Sequence, residues 1–173
     1  MGRIGPETLG RLFDEHAAAL VLYARQWCDA PEDIVQDAFV ALARQGSEPE
    51  RMVAWLYRVV RNGAIAASRQ SRRRRRREQR AADREAAPGG SWFDAADDRI
   101  DAERAAWLLA DLDLETREVI VARLWGGLTF EEVARLLGCS LTTAHRRYQA
   151  GLARLHARLE SPWTSIITDA KTT

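Results

Sequence analysis

Apolar side chains recur every three to four residues along most of the chain, which is the spacing of one face of an α-helix. Residues 8–28 show this pattern and predict a first helix. A second helix is predicted to begin at Pro31, with an apolar stripe that runs to Leu42. A third is predicted from Met52 into a basic run. No segment shows the alternation of a half-buried strand, so the pattern indicates a helical protein.

The same periodicity returns after a cluster of helix breakers. Residues 86–91 read Ala-Ala-Pro-Gly-Gly-Ser, a composition typical of a linker. Beyond it, helices are predicted over 100–113, 115–125 and 130–137, and from Ser140 to about Leu159. We therefore predict an all-α fold of two small helical domains joined by a flexible linker, with domains at 1–80 and 100–160, the linker at 81–99 and a short tail at 161–173.

Segment 129–152 carries the most specific local pattern. Thr129 begins a capping box, and Gly138 ends the short helix that follows. A tight turn requires the next helix to cross steeply, and Ala134 and Ala144 are small enough for close contact. We predict that this segment is a helix-turn-helix and that the C-terminal domain binds DNA through it. The alternative is an ordinary helical hairpin in a bundle. The candidate DNA-binding residues at the start and on the polar face of its second helix are Ser140, Thr142, Thr143, His145, Arg146, Arg147 and Gln149.

Charge is strongly segregated although the formal net charge is only +1. Residues 69–84 contain nine arginines and two acids, residues 94–118 contain nine acids and three arginines, and residues 140–158 contain four arginines and no acid. Two basic segments separated by an acidic one indicate contact with a polyanion at two places. The alternative for the six-arginine block at 72–77 is a solvated basic face without sequence preference.

The third predicted helix carries a second polar face that leads into this block. Trp55 and Tyr57 offer aromatic rings on which an unpaired base could stack, but Trp55 beside an apolar stripe is expected in the core. The candidate nucleic-acid contacts on this helix are Arg58, Arg61, Asn62, Arg69, Arg72 and Arg73.

The sequence lacks the motifs that are typical of metal-binding, catalytic or membrane proteins. Cys28 and Cys139 are far apart and form neither a disulfide framework nor a zinc motif. No nucleophile–base arrangement, phosphate-binding glycine loop or metal cluster is present in the sequence, so we expect no catalysis, no cofactor and no small-molecule substrate. No stretch approaches the ~20 apolar residues of a membrane span, and the N-terminus lacks a signal-peptide core. A cytoplasmic protein without membrane contact is expected.

Three segments, in this order, resemble the bacterial sigma-70 family, most closely its compact extracytoplasmic-function (ECF) group. They are Asp33–Phe39 (DIVQDAF), Ala54–Asn62 (AWLYRVVRN) and Leu128–Gly138 (LTFEEVARLLG). The resemblance implies a transcription initiation factor that binds core RNA polymerase and promoter DNA. It also implies that an anti-sigma factor is a further expected partner.

The resemblance implies a role for each candidate set. The helix that contains Asp33, Gln36 and Asp37 would dock on the polymerase clamp through these residues. The helix over 54–69 would read and open the minus-10 promoter element, beside a loop that captures an everted base. The helix-turn-helix would bind the minus-35 element and touch the polymerase flap.

Two other functions stay open at the level of sequence. A free-standing helix-turn-helix regulator would bind DNA without polymerase, and residues 1–60 would have to supply its dimer interface or effector pocket. An enzyme with a buried helical site is the third hypothesis. Binding to core polymerase separates the first hypothesis from the other two.

Overall fold

The computed structural model describes residues 4–81 and 107–160 of the chain. All regular structure in these ranges is helical, which confirms the predicted all-α class. The elements are α1 (Pro6–Ala24), α2 (Pro31–Ala43), α3 (Met52–Ala81), α4 (Leu114–Ile120), a π-helical turn (Val121–Trp125), α5 (Phe130–Leu137) and α6 (Leu141–Glu160). A helical turn at 107–110 precedes α4. Residues 82–99 of the predicted linker and the tail at 161–173 lie outside the described residues.

The first helix ends four residues earlier than its apolar pattern predicts. Beyond Ala24 the chain tightens, and the backbone N–H groups of Gln26 and Trp27 each donate to a carbonyl three residues back. Ala30 then leaves helical geometry, with φ −127° and ψ 67°, because a residue before proline is disfavoured in the α region. Pro31 occupies the first turn of α2, where no backbone N–H is needed.

The N-terminal half is a bundle of α1, α2 and α3. Leu20, Leu42 and Leu56 are fully buried in it, each on a different helix. The partly exposed Phe13 ring meets the buried Phe39 ring edge to face with centroids 5.0 Å apart, and this contact also joins α1 to α2. The basic second half of α3 continues past this bundle, and its arginines at 72–76 are exposed.

The C-terminal half contains the predicted helix-turn-helix. Thr129 and Glu132 form both hydrogen bonds of the capping box, and Gly138 adopts the left-handed backbone that ends α5, with φ 66°. Ala134 and Ala144 are buried where the two helices meet. The predicted helix over 115–125 is not uniform, because its second half is π-helical and the Gly126 N–H donates to the Val121 carbonyl.

The two halves pack against each other. The π-helical turn contacts α1, and α5 contacts α3. Buried residues of both halves, from Leu20 and Leu56 to Ile120 and Val133, belong to one hydrophobic cluster. The two predicted domains are therefore in direct contact in this structure. None of the helices in the described ranges has the length and apolar character to cross a membrane.

Candidate nucleic-acid interface

Helix α6 presents the predicted recognition residues on a rigid frame. Ser140 caps the helix, since its hydroxyl accepts the Thr143 N–H at 3.1 Å and lies 2.8 Å from the Thr143 hydroxyl. Thr142, His145, Arg146 and Gln149 are exposed; Thr143 and Arg147 are half-buried. The outer face of the helix is therefore exposed, which a helix that enters a major groove requires.

Aromatic contacts fix the turn beneath this face. The Phe130 ring packs against His145 and Tyr148, with centroid distances of 5.0 and 5.3 Å. The Arg123 guanidinium lies 5.1 Å from the centre of the same ring. These contacts tie α5 to α6 and limit how far the His145 side chain can swing.

Two arginines of α6 are anchored to the α4 end of the same half. Arg147 forms an ion pair with Glu115, and Arg154 lies 3.3 Å from a carboxylate oxygen of Asp113. The Asp113 carboxylate also accepts the Thr116 N–H at the start of α4, and this hydrogen bond is the main cause of its lowered pKa. Arg147 is thus partly occupied by an internal acid, whereas Arg146 has no hydrogen bond or ion pair to any described residue.

On α3 the predicted contacts divide into two groups. Their spacing along the helix puts them on one face. The exposed members of the set are Arg58, Asn62, Arg69, Arg72 and Arg73. Arg61 differs, because it is half-buried and its Nε donates to a Glu118 carboxylate oxygen at 2.6 Å.

The two aromatic candidates of α3 differ in burial. Tyr57 is fully buried, so stacking by this ring is excluded in the observed conformation. The interpretation of Tyr57 as a stacking ring is wrong here because the ring packs between α1 and the C-terminal half, 4.9 Å from Tyr23. Trp55 is half-buried against the core, close to its expected position.

The predicted polymerase-binding residues share an open face of α2. Asp33, Gln36 and Asp37 are exposed, and none is paired with another described residue. The opposite face of the helix is buried through Val35, Phe39 and their apolar neighbours. The helix is therefore amphipathic, and its acidic face is available to another molecule.

A cleft of about 870 Å³ lies between the start of α2 and the basic half of α3. Trp27 and Asp33 line one side, and arginines 72–75 line the other. Arg75 lies 3.6 Å from the Asp29 carboxylate across this cleft. Because arginine forks bind phosphate with paired hydrogen bonds, the basic wall can accept a nucleic-acid backbone.

Sequence reasoning missed a buried polar cluster. Glu118 lies in α4 with its side chain 5% exposed, and it receives hydrogen bonds from Arg61 and from the Tyr23 hydroxyl, the latter at 3.1 Å. Burial is the first cause of the raised pKa of Tyr23, and the Glu118 charge adds to it. For Arg61, burial is the largest single cause and lowers the pKa, but the hydrogen bond to Glu118, the Glu118 charge and the interactions with Tyr23 together outweigh it, so the pKa is raised. The one sequence signal was a single acid beside the apolar run at 119–122.

Metal chemistry has no support in the described ranges, where no three His, Cys, Asp or Glu side chains converge on a common point. Cys28 and Cys139 are both free. The described surface carries an exposed basic stripe on α3 and an exposed acidic face on α2.

Comparison with known proteins agrees with this arrangement. A family model described as ECF sigma factor matches residues 21–161. RNA polymerase sigma factor CnrH of Cupriavidus metallidurans is 32% identical over 168 residues, covering 88% of this chain and 86% of that protein. The solved structure of CnrH in complex with the cytosolic domain of CnrY has a TM-score of 0.56 at 28% identity, covering 90% of this chain and 89% of that one.

A more distant structure shows the same fold. The sigma factor RpoE in complex with the anti-sigma factor NepR from Bartonella quintana has a TM-score of 0.61 at 21% identity, covering 91% of this chain and 99% of that one. The family model spans both the α2–α3 region and the helix-turn-helix, so the match rests on the whole arrangement. This chain belongs to the ECF sigma factor family.

Proposed function

We propose that this sigma factor binds core RNA polymerase through the acidic face of α2 and reads a promoter at two separate places. The observation that carries the proposal is the exposure of Asp33, Gln36 and Asp37 on a helix whose other face is buried. Unpaired carboxylates on a rigid helix favour a basic partner surface, both for the rate of encounter and for the choice of partner.

The upstream contact is assigned to α6. Its exposed side chains Thr142, His145, Arg146 and Gln149 have the chemistry to hydrogen-bond base edges, and Arg146 is free to do so. Arg147 is better suited to phosphate, because Glu115 already holds it at the edge of the helix. Ser140 and Thr143 chiefly cap the helix, and we assign to them contacts with the DNA backbone.

The downstream contact is assigned to α3. Arg58, Asn62 and Arg69 form an exposed stripe that continues into the arginines at 72–76. Separating a duplex costs about 1.4 kcal/mol per base-pair step of lost stacking. A basic stripe offsets part of this cost by neutralising phosphates of the opened strand.

The proposed division of the chain follows from these assignments. Residues 1–80 form the polymerase and minus-10 domain, and residues 100–160 form the minus-35 domain. The protein acts in the cytoplasm without covalent chemistry of its own. CnrH and RpoE were solved with CnrY and NepR, of which NepR is an anti-sigma factor, and we propose that a partner of this class restrains the present protein.

A pull-down with core RNA polymerase tests the proposal. The wild-type chain is expected to bind, and Asp37→Arg is expected to lose affinity because it places a cation on the acidic face. Asp14→Arg makes the same charge change on an exposed site of α1 and is the matched control. Failure of the wild-type chain to bind polymerase, combined with a gel shift of duplex DNA by a dimer, would instead establish a free-standing regulator.

A further inference from the structure

We propose that Glu115 weakens the hold of α6 on DNA phosphates by neutralising Arg147, and that this weakening keeps the free chain from being sequestered on bulk DNA. The proposal rests on the proposed function, because it takes the outer face of α6 as the upstream DNA contact. It is argued from the ion pairs between α6 and the residues around the start of α4.

A row of ion pairs joins α6 to the start of α4 and to the residues just before it. The pairs are Arg147 with Glu115, Arg154 with Asp113, and Arg158 with Asp111. The acids advance along the chain in the order in which their partners recede, so the two segments run in opposite directions where they meet.

This row cancels most of the positive charge that the sequence shows in α6. Residues 140–158 contain four arginines and no acid. Three of the four arginines are paired with a carboxylate from outside the segment. Arg146 is the fourth, and it forms no ion pair with any described residue. The attraction of α6 for a polyanion is therefore smaller than its composition indicates.

Glu115 is the acid of the row whose partner adjoins the proposed DNA contacts. Arg147 directly follows the exposed Arg146, and the Arg147 side chain is 27% exposed. Arg158 lies about 16 Å further along the helix. Its guanidinium is packed 3.6 Å from the centre of the Trp107 ring. Neutralising Arg147 therefore acts on a phosphate contact, whereas neutralising Arg158 does not.

The ion pair lowers what Arg147 contributes to DNA binding. An arginine that neutralises a phosphate adds affinity because counterions leave the DNA. Glu115 already neutralises Arg147. Its carboxylate also stays within the Debye length, about 10 Å at 0.1 M salt, of any phosphate that Arg147 contacts. Repulsion between carboxylate and phosphate then opposes part of the attraction by the guanidinium.

A weak phosphate contact suits a factor that has to reach polymerase before it reaches a promoter. Phosphate contacts carry no sequence information, so affinity added through them is shared by all bulk DNA. With Glu115 present, a larger share of the free chain stays available to polymerase. Once the chain is bound through α2, tethering raises the effective concentration of α6 at the promoter, and a weak contact suffices.

Fluorescence anisotropy of the full chain, on a labelled duplex of unrelated sequence, tests this role of Glu115. Glu115→Gln removes the charge and keeps the shape of a side chain that is 63% exposed, so the fold should tolerate the change. We expect the variant to bind on the order of tenfold more tightly than wild type at about 50 mM salt, and about threefold more tightly at about 200 mM. The plot of log affinity against log salt should steepen by about 0.9, the value of one phosphate contact.

Two controls separate this effect from a general change of charge. Asp111→Asn removes one negative charge from the same row, so net charge alone would move both variants equally. We expect wild-type affinity for Asp111→Asn, because Arg158 stays packed on the Trp107 ring. In an Arg147→Ala background, Glu115→Gln should lose most of its gain, because the guanidinium that it would release is absent.

A gain of similar size in Asp111→Asn, or in the Arg147→Ala background, would overturn the proposal. Unchanged or weaker binding by Glu115→Gln would also overturn it. The pull-down with polymerase tests the proposed function separately. A chain that binds polymerase while Glu115→Gln leaves DNA affinity unchanged keeps the function and loses this role of Glu115. A chain that fails the pull-down while Glu115→Gln tightens DNA binding keeps this role and loses the function.

Discussion

Gly151 sets how closely α6 crosses α4, and its replacement by alanine is the sharpest structural test of the helix-turn-helix frame. The residue is buried in the middle of α6. A Cβ atom at this position would lie 2.7 and 2.8 Å from Cγ1 and Cδ1 of Ile120, and 2.9 Å from Cγ2 of Thr116. Real Cβ atoms do not sit this close to carbon, so the Ile120 and Thr116 side chains or the helices themselves must shift.

Two opposing terms decide the sign of the effect. Alanine in a helix interior is favoured over glycine by about 1 kcal/mol. Overpacking of a well-filled site costs about 1–3 kcal/mol, and the upper end applies because Ile120 and Thr116 are β-branched, buried and stiff. We expect Gly151→Ala to lower the free energy of unfolding by about 1–2 kcal/mol.

Urea unfolding followed by circular dichroism measures this change. Gly10→Ala is the matched control, since the same substitution in α1 meets no atom within 4 Å and should stabilise by about 0.5–1 kcal/mol. Because α6 would shift with the added methyl group, Gly151→Ala should also weaken binding to the upstream promoter duplex. If both alanine variants are equally stabilised, the tight crossing is refuted.

Three further predictions concern the C-terminal half. The hydrogen bond that Asp113 accepts at the start of α4 lowers the pKa of its carboxyl group. The stability that this cap contributes is therefore full above about pH 3.9, and it is lost as the pH falls through the lower pKa of the folded state. Asp113→Ala should lower the free energy of unfolding by about 1 kcal/mol in urea at pH 7, and by less in acid. Thr129→Ala should cost a similar ~1 kcal/mol in the same assay without changing base preference in gel shifts, because it removes only a cap. Arg146→Ala should weaken fluorescence-detected binding to the cognate upstream duplex by about 1–3 kcal/mol more than to unrelated DNA. An equal loss on both duplexes, with a salt slope reduced by about one, would place Arg146 on phosphate.

Local features of the fold were predictable because short-range physics determines them. The capping box at Thr129, the left-handed turn at Gly138 and the proline at the start of α2 each depend on a few neighbouring residues. The exposure of Asp37 on α2 and of Arg146 on α6 followed from helical periodicity alone. These are also the features that carry the family resemblance.

Contacts between the halves were not predictable from periodicity. The Tyr23–Glu118 hydrogen bond joins residues 95 positions apart, and no local rule brings them together. From the sequence alone, Glu118 is expected to be an exposed acid. Helical spacing places Arg61 on the same polar face as Arg58. Only the packed structure shows that one arginine is engaged and the other exposed.

The close approaches were hidden for a similar reason. In the sequence, Gly151 indicates only a residue that weakens a helix. The structure shows that the Ile120 side chain packs against it. Tyr57 looks available for stacking until its ring is found against Gly126. In both cases the deciding quantity is the separation of two elements, which residue types along one helix do not report.

Run-off transcription with purified core RNA polymerase tests the central claim most directly, with the DNA upstream of the protein's own gene as template. The wild-type chain is expected to produce a discrete transcript that core polymerase alone does not make. The transcript should weaken with Asp37→Arg and persist with the Asp14→Arg control. Equal transcription with and without the chain, on templates that a known sigma factor can start, would contradict its role in initiation.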